Sequence, residues 1–325
     1  MPGRTPRSRP SGRSSKSTSA IRARAEAAIA AVDRELQNVH RRWHAWEPGP
    51  LETVNRAFAG GRRIELPPGM LEPILRAKRL ESASEGLFNP AIGRLLALWG
   101  FHASQLPSGP PPSQDAIADL LAQSPSMTDI QIENGTIGSR NPAVQMDFGA
   151  FIKGVAVERA LAILEAHGLE HAIVNAGGDV GVIGSAGGAP WRVGIRHPDG
   201  AGGRILAELE AGDGEFVFTS GNYLRYREHE GIRHGHIIDP RSGYPADRVV
   251  SVTVIAEHGG TADAGATALA VAGEAEWPRI AARLGIDKVL RVDGQGRVSM
   301  TTAMRERVRL MAPQAAVSER SLPPD

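Results

Sequence analysis

The stretch VQMDFGAFIKGVAVERALAILEAHGLEHAIVNAGGDVGVIG, residues 144–184, decides the fold class. Its opening VQMD reads as a short strand that delivers Asp147 into a glycine turn at Gly149. A helix starts around Ile152 and closes at Gly168. HAIVNAGGDVGVIG follows as an apolar strand interrupted by Gly177 and Gly178. A dinucleotide-binding βαβ unit is the obvious comparison and it fails, because GxGxxG is absent and strands rather than a helix follow the paired glycines. A Walker loop is excluded as well, since no GxxxxGK[ST] occurs.

Downstream, PWRVGIRH, RILAELE, GEFVFTSG and RVVSVTVIAE read as further strands with Gly-rich turns between them. TADAGATALAVAG and EAEWPRIAARLG read as helices, and KVLRVDGQGRVSM as a hairpin turned at DGQG. Upstream, Ile21, Ala25, Ala28, Ile29, Val32, Leu36 and Val39 recur at helical spacing, so folded structure is expected from about Ile21. Shorter helices are expected in PLETVN, in PPGMLEPILRAKRLESASEG, after Pro90 and in SQDAIADLLAQ, with brief strands IQIE and TIGS. Helices at both ends of a strand-rich centre predict an α+β fold: a mixed sheet core with flanking helices, possibly in two lobes. The expected division is a disordered basic tail over 1–20, one domain over 21–312 and a flexible C-terminal tail over 313–325.

Composition supports a globular chain: 325 residues, 41% hydrophobic and 22% charged. No apolar run approaches the roughly 20 residues needed to span a bilayer, which predicts a soluble protein without a membrane span. The absence of cysteine removes disulfides, thiolate nucleophiles and zinc–thiolate sites. The 37 Lys/Arg and 36 Asp/Glu are unevenly placed: residues 1–24 hold seven of the bases and none of the acids, leaving −6 for the remainder. A negative folded part with 5% aromatic residues predicts no nucleic-acid surface. The tail carries no apolar core of a signal peptide and no lipobox, so the chain as it stands is expected in the cytoplasm, or in the periplasm if the true start lies upstream.

Four segments carry candidate chemistry. In MDFGAFIKG, Asp147, the backbone of the turn and Lys153 suit a phosphate at a helix N-terminus, although a capped helix after a tight turn explains the same residues. In IVNAGGDV, Gly177, Gly178 and Asp179 would let a flat or anionic ligand approach the backbone, or simply form a Gly-Gly bulge within a sheet. FTSGNY and HIIDPRSGYP place the hydroxyls Thr219 and Ser220 near His236 and Asp239, a set able to move a proton near neutral pH. In TADAGATAL, Asp263 and Thr267 are four apart, so on a helix both oxygens reach one cation; an acid favoured by the helix dipole is the alternative.

Together and in this order, PLETVN, GLFNPAIGRLLALWGF, MDFGAFIKGVAVERAL, IVNAGGDV, FTSGNY, HIIDPRSGYP and ADAGATAL resemble the ApbE family of flavin transferases, the FAD:protein FMN transferases. The resemblance runs from about Leu51 to Gly273. It implies Mg²⁺-dependent cleavage of FAD and transfer of FMN to a Ser or Thr hydroxyl of an acceptor protein, a flavoprotein subunit of an electron-transfer system, with release of AMP. By the same resemblance Leu87, Phe88, Asn89, Asp147, Lys153, Gly177, Gly178, Asp179, Thr219, Ser220 and Ile237 contact the flavin nucleotide. Asp263, Thr267 and the Ala150 carbonyl bind Mg²⁺, and His236 is the catalytic residue, taking the hydroxyl proton or holding a phosphate oxygen. Three departures stand out: the basic tail replaces an opening Met-Gly-Thr strand, Asn89 stands where Asp is common, and Ala266 stands where some members carry another metal-binding Asp. Two other activities fit the same pocket, hydrolysis of FAD to FMN and AMP, with Asn55 near the entry as a determinant, and flavin binding without turnover.

Overall fold

The computed structural model describes residues 13–199, 203–223, 225–311 and 316–323. The N-terminal half is mainly helical: α1 (Arg13–Trp43), α2 (Pro50–Ala59), β1 (Ile64–Glu65), α3 (Leu71–Ala83), α4 (Gly93–Leu98), α5 (Gln114–Ala122), β2 (Ile130–Glu133) and β3 (Thr136–Ser139). Strands β1, β3 and β2 form a small antiparallel sheet in that order. Helix α1 begins at Arg13, inside the stretch expected to be disordered, while residues 1–12 lie outside the described residues. Its apolar stripe is only partly used: Ala28 and Val39 are buried, but Ile21, Ile29 and Leu36 are exposed. The expected VQMD strand is reduced to a single bridge from Gln145 to Ile92, because this segment is held by loop contacts rather than by a ladder.

The remainder comprises α6 (Ile152–Ala166), β4 (Ala172–Ala176), β5 (Asp179–Ile183), β6 (Trp191–Arg196), β7 (Ile205–Ala211), β8 (Phe216–Gly221), β9 (Tyr226–His229), β10 (Ile232–Gly235), β11 (Val249–Ala256), α7 (Gly259–Val271), α8 (Trp277–Arg283), β12 (Lys288–Asp293), β13 (Val298–Thr301), α9 (Thr302–Arg305), β14 (Val308–Leu310) and β15 (Val317–Arg320). Seven strands form the central sheet in the order β15-β13-β12-β11-β8-β5-β4, and a second sheet has the order β14-β7-β6. The α+β class expected from the sequence is the class observed. Part of the stretch expected to be a flexible C-terminal tail instead supplies β15, paired in parallel with β13 from Val298↔Val317 to Thr301↔Arg320. The hairpin β9–β10, turned at Glu230-Gly231 with positive φ at both residues, was not legible as a strand pair.

Alternation along the central strands divides the core. Phe216 and Phe218 of β8 pack with α6 and α7 in one cluster, whereas Val217 packs with β6 and β7 in another. Phe218 is 1% exposed, and burial of such a ring contributes about 1.5–3 kcal/mol. Helix α7, GGTADAGATALAV, is buried on nearly every side, which is why it is built from small residues. It lies so close to α6 that a Cβ on Gly154 would stand 2.0 Å from the Gly259 carbonyl oxygen. Among the described residues, no helix is long and apolar enough to cross a membrane.

Candidate active site

At one end of the central sheet, on its helical side, a cleft of about 360 Å³ gathers residues from most of the expected motifs. Leu87, Phe88, Ile92, Leu96, Phe101, Ile237 and Ile238 form its apolar part. Asp147, Lys153, Ser220, His236, Asp263 and Thr267 form its polar part, with Ala150 at the turn between them. A flat heteroaromatic ring attached to phosphates matches this division.

The carboxylate of Asp263 is 4% exposed and accepts the Gly154 N–H at 2.9 Å. Burial pushes its pKa up to about 7; Lys153 and the N–H bonds from Gly154 and Lys153 oppose the rise, and Asp179 adds to it. Asp263 is therefore not the exposed first-turn acid that the helix dipole alone would explain. Thr267 lies one turn later, and its hydroxyl is 3.1 Å from that of Ser220. A carboxylate, a hydroxyl and the Ala150 carbonyl make an all-oxygen donor set of the kind that suits Mg²⁺. The cost of ionising a buried Asp263 is a further reason for a cation there. Lys153 is ion-paired with Asp179. Burial works against its ammonium, but Asp263 and Asp179 outweigh burial and raise its pKa.

Successive residues of β8 point to opposite faces, which separates the two hydroxyls paired in the sequence reading. Ser220 faces α7, whereas the Thr219 hydroxyl meets that of Thr253 at 2.8 Å and the Thr219 N–H donates to Asp179 at 2.8 Å. His236 has its Nδ1 3.1 Å from the Arg225 carbonyl, an arrangement in which Nδ1–H donates and Nε2 keeps its lone pair. Burial lowers its pKa to about 4; the bond to the Arg225 carbonyl opposes that, the charges of Arg225 and Lys153 reinforce it, and Asp147 opposes it. Burial thus keeps the imidazole neutral, and able to accept a proton, at neutral pH and well below pH 6.5. Asp239 is not part of the set either, because its carboxylate is bound by Arg241 and caps the DPRSG turn.

Gly177 and Gly178 stand beside the cleft rather than in it. They form the two-residue turn of the β4–β5 hairpin, at φ 72° and 111°, and border a neighbouring cavity with Asp179 rather than the cleft. Leu87 and Phe88 do line the cleft. Asn89 lines it while its side chain is occupied, accepting the Ala91 N–H at 2.8 Å and donating to the Pro125 carbonyl at 2.9 Å. Asn55, expected near the entry, is buried and clamps the backbone on both sides of Met146: its Nδ2 donates to the Met146 carbonyl at 2.9 Å and its Oδ1 accepts the Met146 N–H at 2.7 Å. It thereby holds the segment that presents Asp147.

Sequence reasoning missed Trp46, His102 and Arg225. His102 Nε2 is 2.8 Å from Asp147 Oδ2, and the Trp46 ring stacks on the His102 ring at 4.7 Å. Arg225 donates to the Phe101 and Ala103 carbonyls at 2.8 and 2.9 Å, so it fixes the loop that carries His102. The only local signal was that His102 directly follows the WGF run.

The family model described as ApbE family matches residues 15–290. A FAD:protein FMN transferase of Rhodobacter capsulatus is 46% identical over 286 residues, 88% of this chain and 54% of that protein, so the chain spans about half the length of that relative. The FAD:protein FMN transferase of Vibrio cholerae is 34% identical over 245 residues, 75% of this chain and 72% of that protein. Among solved structures, the ApbE protein of Thermotoga maritima superposes with a TM-score of 0.79 at 28% identity, covering 87% of this chain and 92% of that one. The flavinyl transferase ApbE of Pseudomonas stutzeri, in its apo form, superposes with a TM-score of 0.75 at 28% identity, covering 87% and 88%. With the family model matching most of its length and the fold shared over 87% of it, the chain belongs to the ApbE family.

Proposed function

We propose that the chain transfers FMN from FAD to a Ser or Thr hydroxyl of an acceptor protein, with Mg²⁺, and releases AMP. The observation that carries this reading is the meeting, in one amphipathic cleft, of an all-oxygen donor set built on the buried Asp263 with a neutral imidazole whose Nε2 is unencumbered. The names of the relatives, FAD:protein FMN transferase, supply the substrate class.

In this reading the apolar part of the cleft takes a ring of FAD, and Lys153 sets positive charge beside the pyrophosphate. Asp263, Thr267 and the Ala150 carbonyl would hold Mg²⁺, which would supply positive charge to offset the negative charge that develops during phosphoryl transfer. His236 Nε2 takes the proton of the acceptor hydroxyl as its oxygen bonds to the FMN phosphorus, and the bond from that phosphorus to the AMP oxygen breaks. His102, bonded to Asp147 and covered by Trp46, holds the wall opposite. Incubation with FAD, Mg²⁺ and a candidate acceptor domain, read by mass spectrometry for added FMN and by chromatography for AMP, tests the reading. AMP accompanied only by free FMN would mark a hydrolase, and FAD binding without AMP would mark a carrier.

A further inference from the structure

Lys153 and Thr219 border not only the cleft but a second cavity of about 290 Å³, which runs between β6 and the β4–β5 hairpin. It is a groove between the open edge of β6 and a face of the central sheet, to which β4, β5 and β8 contribute Ile173, Asn175, Val180, Val217 and Thr219. β4 ends the seven-stranded sheet and β6 ends the three-stranded one; among the described residues neither has a further partner strand. Every residue from Arg192 to Arg196 borders the groove, the buried Val193 and Ile195 as well as the exposed Arg192, Gly194 and Arg196. A strand that meets a groove with both of its faces presents its edge, and an open edge offers unpaired N–H and C=O groups. Across from it, β4 contributes Ile173, 43% exposed, and Asn175.

The groove is also cationic. Arg192 and Arg196 make no ion pair among the described residues, although Glu210 is the cross-strand neighbour of Arg192. The one carboxylate bordering the groove, Asp179, is taken by Lys153 and by the Thr219 N–H.

We propose that this groove docks the acceptor polypeptide. An extended segment adds to the free edge of β6, sets acidic side chains against Arg192 and Arg196, and passes its hydroxyl residue over Lys153 and Thr219 into the cleft. This rests on the flavin-transfer reading and names the partner's chemistry at the same site. A nucleotide would use the two arginines but leave the β6 edge and Ile173 without a role; an acidic extended chain uses all of them.

The test uses the full chain with FAD and Mg²⁺ and two probes: a short synthetic peptide rich in Asp with one central Thr, and its Lys-for-Asp counterpart. The acidic peptide is expected to slow hydrogen exchange of the amides of residues 192–196 and to bind about tenfold more tightly than the basic one, as two surface ion pairs would allow. The double variant Arg192→Glu/Arg196→Glu reverses that preference, and Arg192→Gln/Arg196→Gln abolishes it, both with unchanged FAD affinity. An acidic peptide that leaves these amides unprotected, or a preference that survives charge reversal, overturns the proposal. Loss of FAD affinity in both double variants also overturns it and assigns the groove to FAD. Failure of the wild type to bind FAD and release AMP would instead remove the flavin-transfer reading, whereas peptide failure with both intact removes only the docking site.

Discussion

Asp263 is the one charged side chain of a helix otherwise made of small and apolar residues, and what faces it sets its protonation state. Since burial raises its pKa to about 7, a proton would compete with the proposed Mg²⁺ for the same carboxylate below that pH. The half-saturating Mg²⁺ concentration for AMP release is therefore expected to rise on acidification below pH 7, approaching about tenfold per pH unit well below it. Asp263→Asn should retain the fold and lose turnover at any Mg²⁺ concentration; a Mg²⁺ titration of both proteins from pH 5 to 8 checks this. His236 works in the opposite direction. Its base form is the neutral one, and a pKa lowered to about 4 extends that form to lower pH. At saturating Mg²⁺, kcat/KM for AMP release should hold down to roughly pH 5 and fall towards pH 4. An acid limb near pH 6.5 under those conditions would show that His236 is not the base.

At the scale of elements, the crossing of α6 and α7 positions the polar groups. Gly154 lets the two helices touch, donates its N–H to Asp263, and follows Lys153 directly. The methyl of Gly154→Ala would meet the Gly259 carbonyl, so the helices must separate or the backbone must shift. That substitution is expected to lower stability by about 1–3 kcal/mol, read from the urea midpoint, and to reduce AMP release beyond what the lost stability explains. Gly177→Ala is the contrasting case. A Cβ there meets nothing within 4 Å, but φ of 72° disfavours it, so stability falls by about 1 kcal/mol in the same urea titration while AMP release is kept.

Across the whole molecule, the two chain ends differ in what they contribute. Among the described side chains of α1, which run from Ile21, the first buried one is Ala28; removal of residues 1–20 is expected to leave Tm and FAD affinity unchanged. Removal of residues 316–325 deletes β15, exposes the edge of β13 and breaks the bond from the Val298 N–H to the Ala316 carbonyl. Each lost ladder bond is worth about 0.5–1.5 kcal/mol, so that truncation should lower Tm by several degrees without altering FAD affinity, because no residue of β15 borders the cleft. Thermal melts and FAD fluorescence titrations of the two truncations check both outcomes.

Elements with strong local periodicity or turn chemistry were legible in the sequence: α6 closed by Gly168, and the β12–β13 hairpin at its Gly-rich turn; HAIVNAGGDVGVIG, which reads as one interrupted strand, is instead the β4–β5 hairpin turned at Gly177-Gly178. The i, i+4 pairing of Asp263 with Thr267 was legible too, because helical spacing by itself puts both on one face. What the local pattern could not carry was which distant groups meet. Trp46, His102 and Asp147 come from three separate segments, and Asn55 grips a backbone 91 residues away. Thr219 and Ser220 are adjacent in sequence yet serve opposite faces, and Gly177 and Gly178 turn away from the cleft their neighbour Asp179 helps to order. The charge states of Asp263 and His236 also belong to the tertiary structure, since desolvation depends on everything packed around a group and not on its neighbours in the chain.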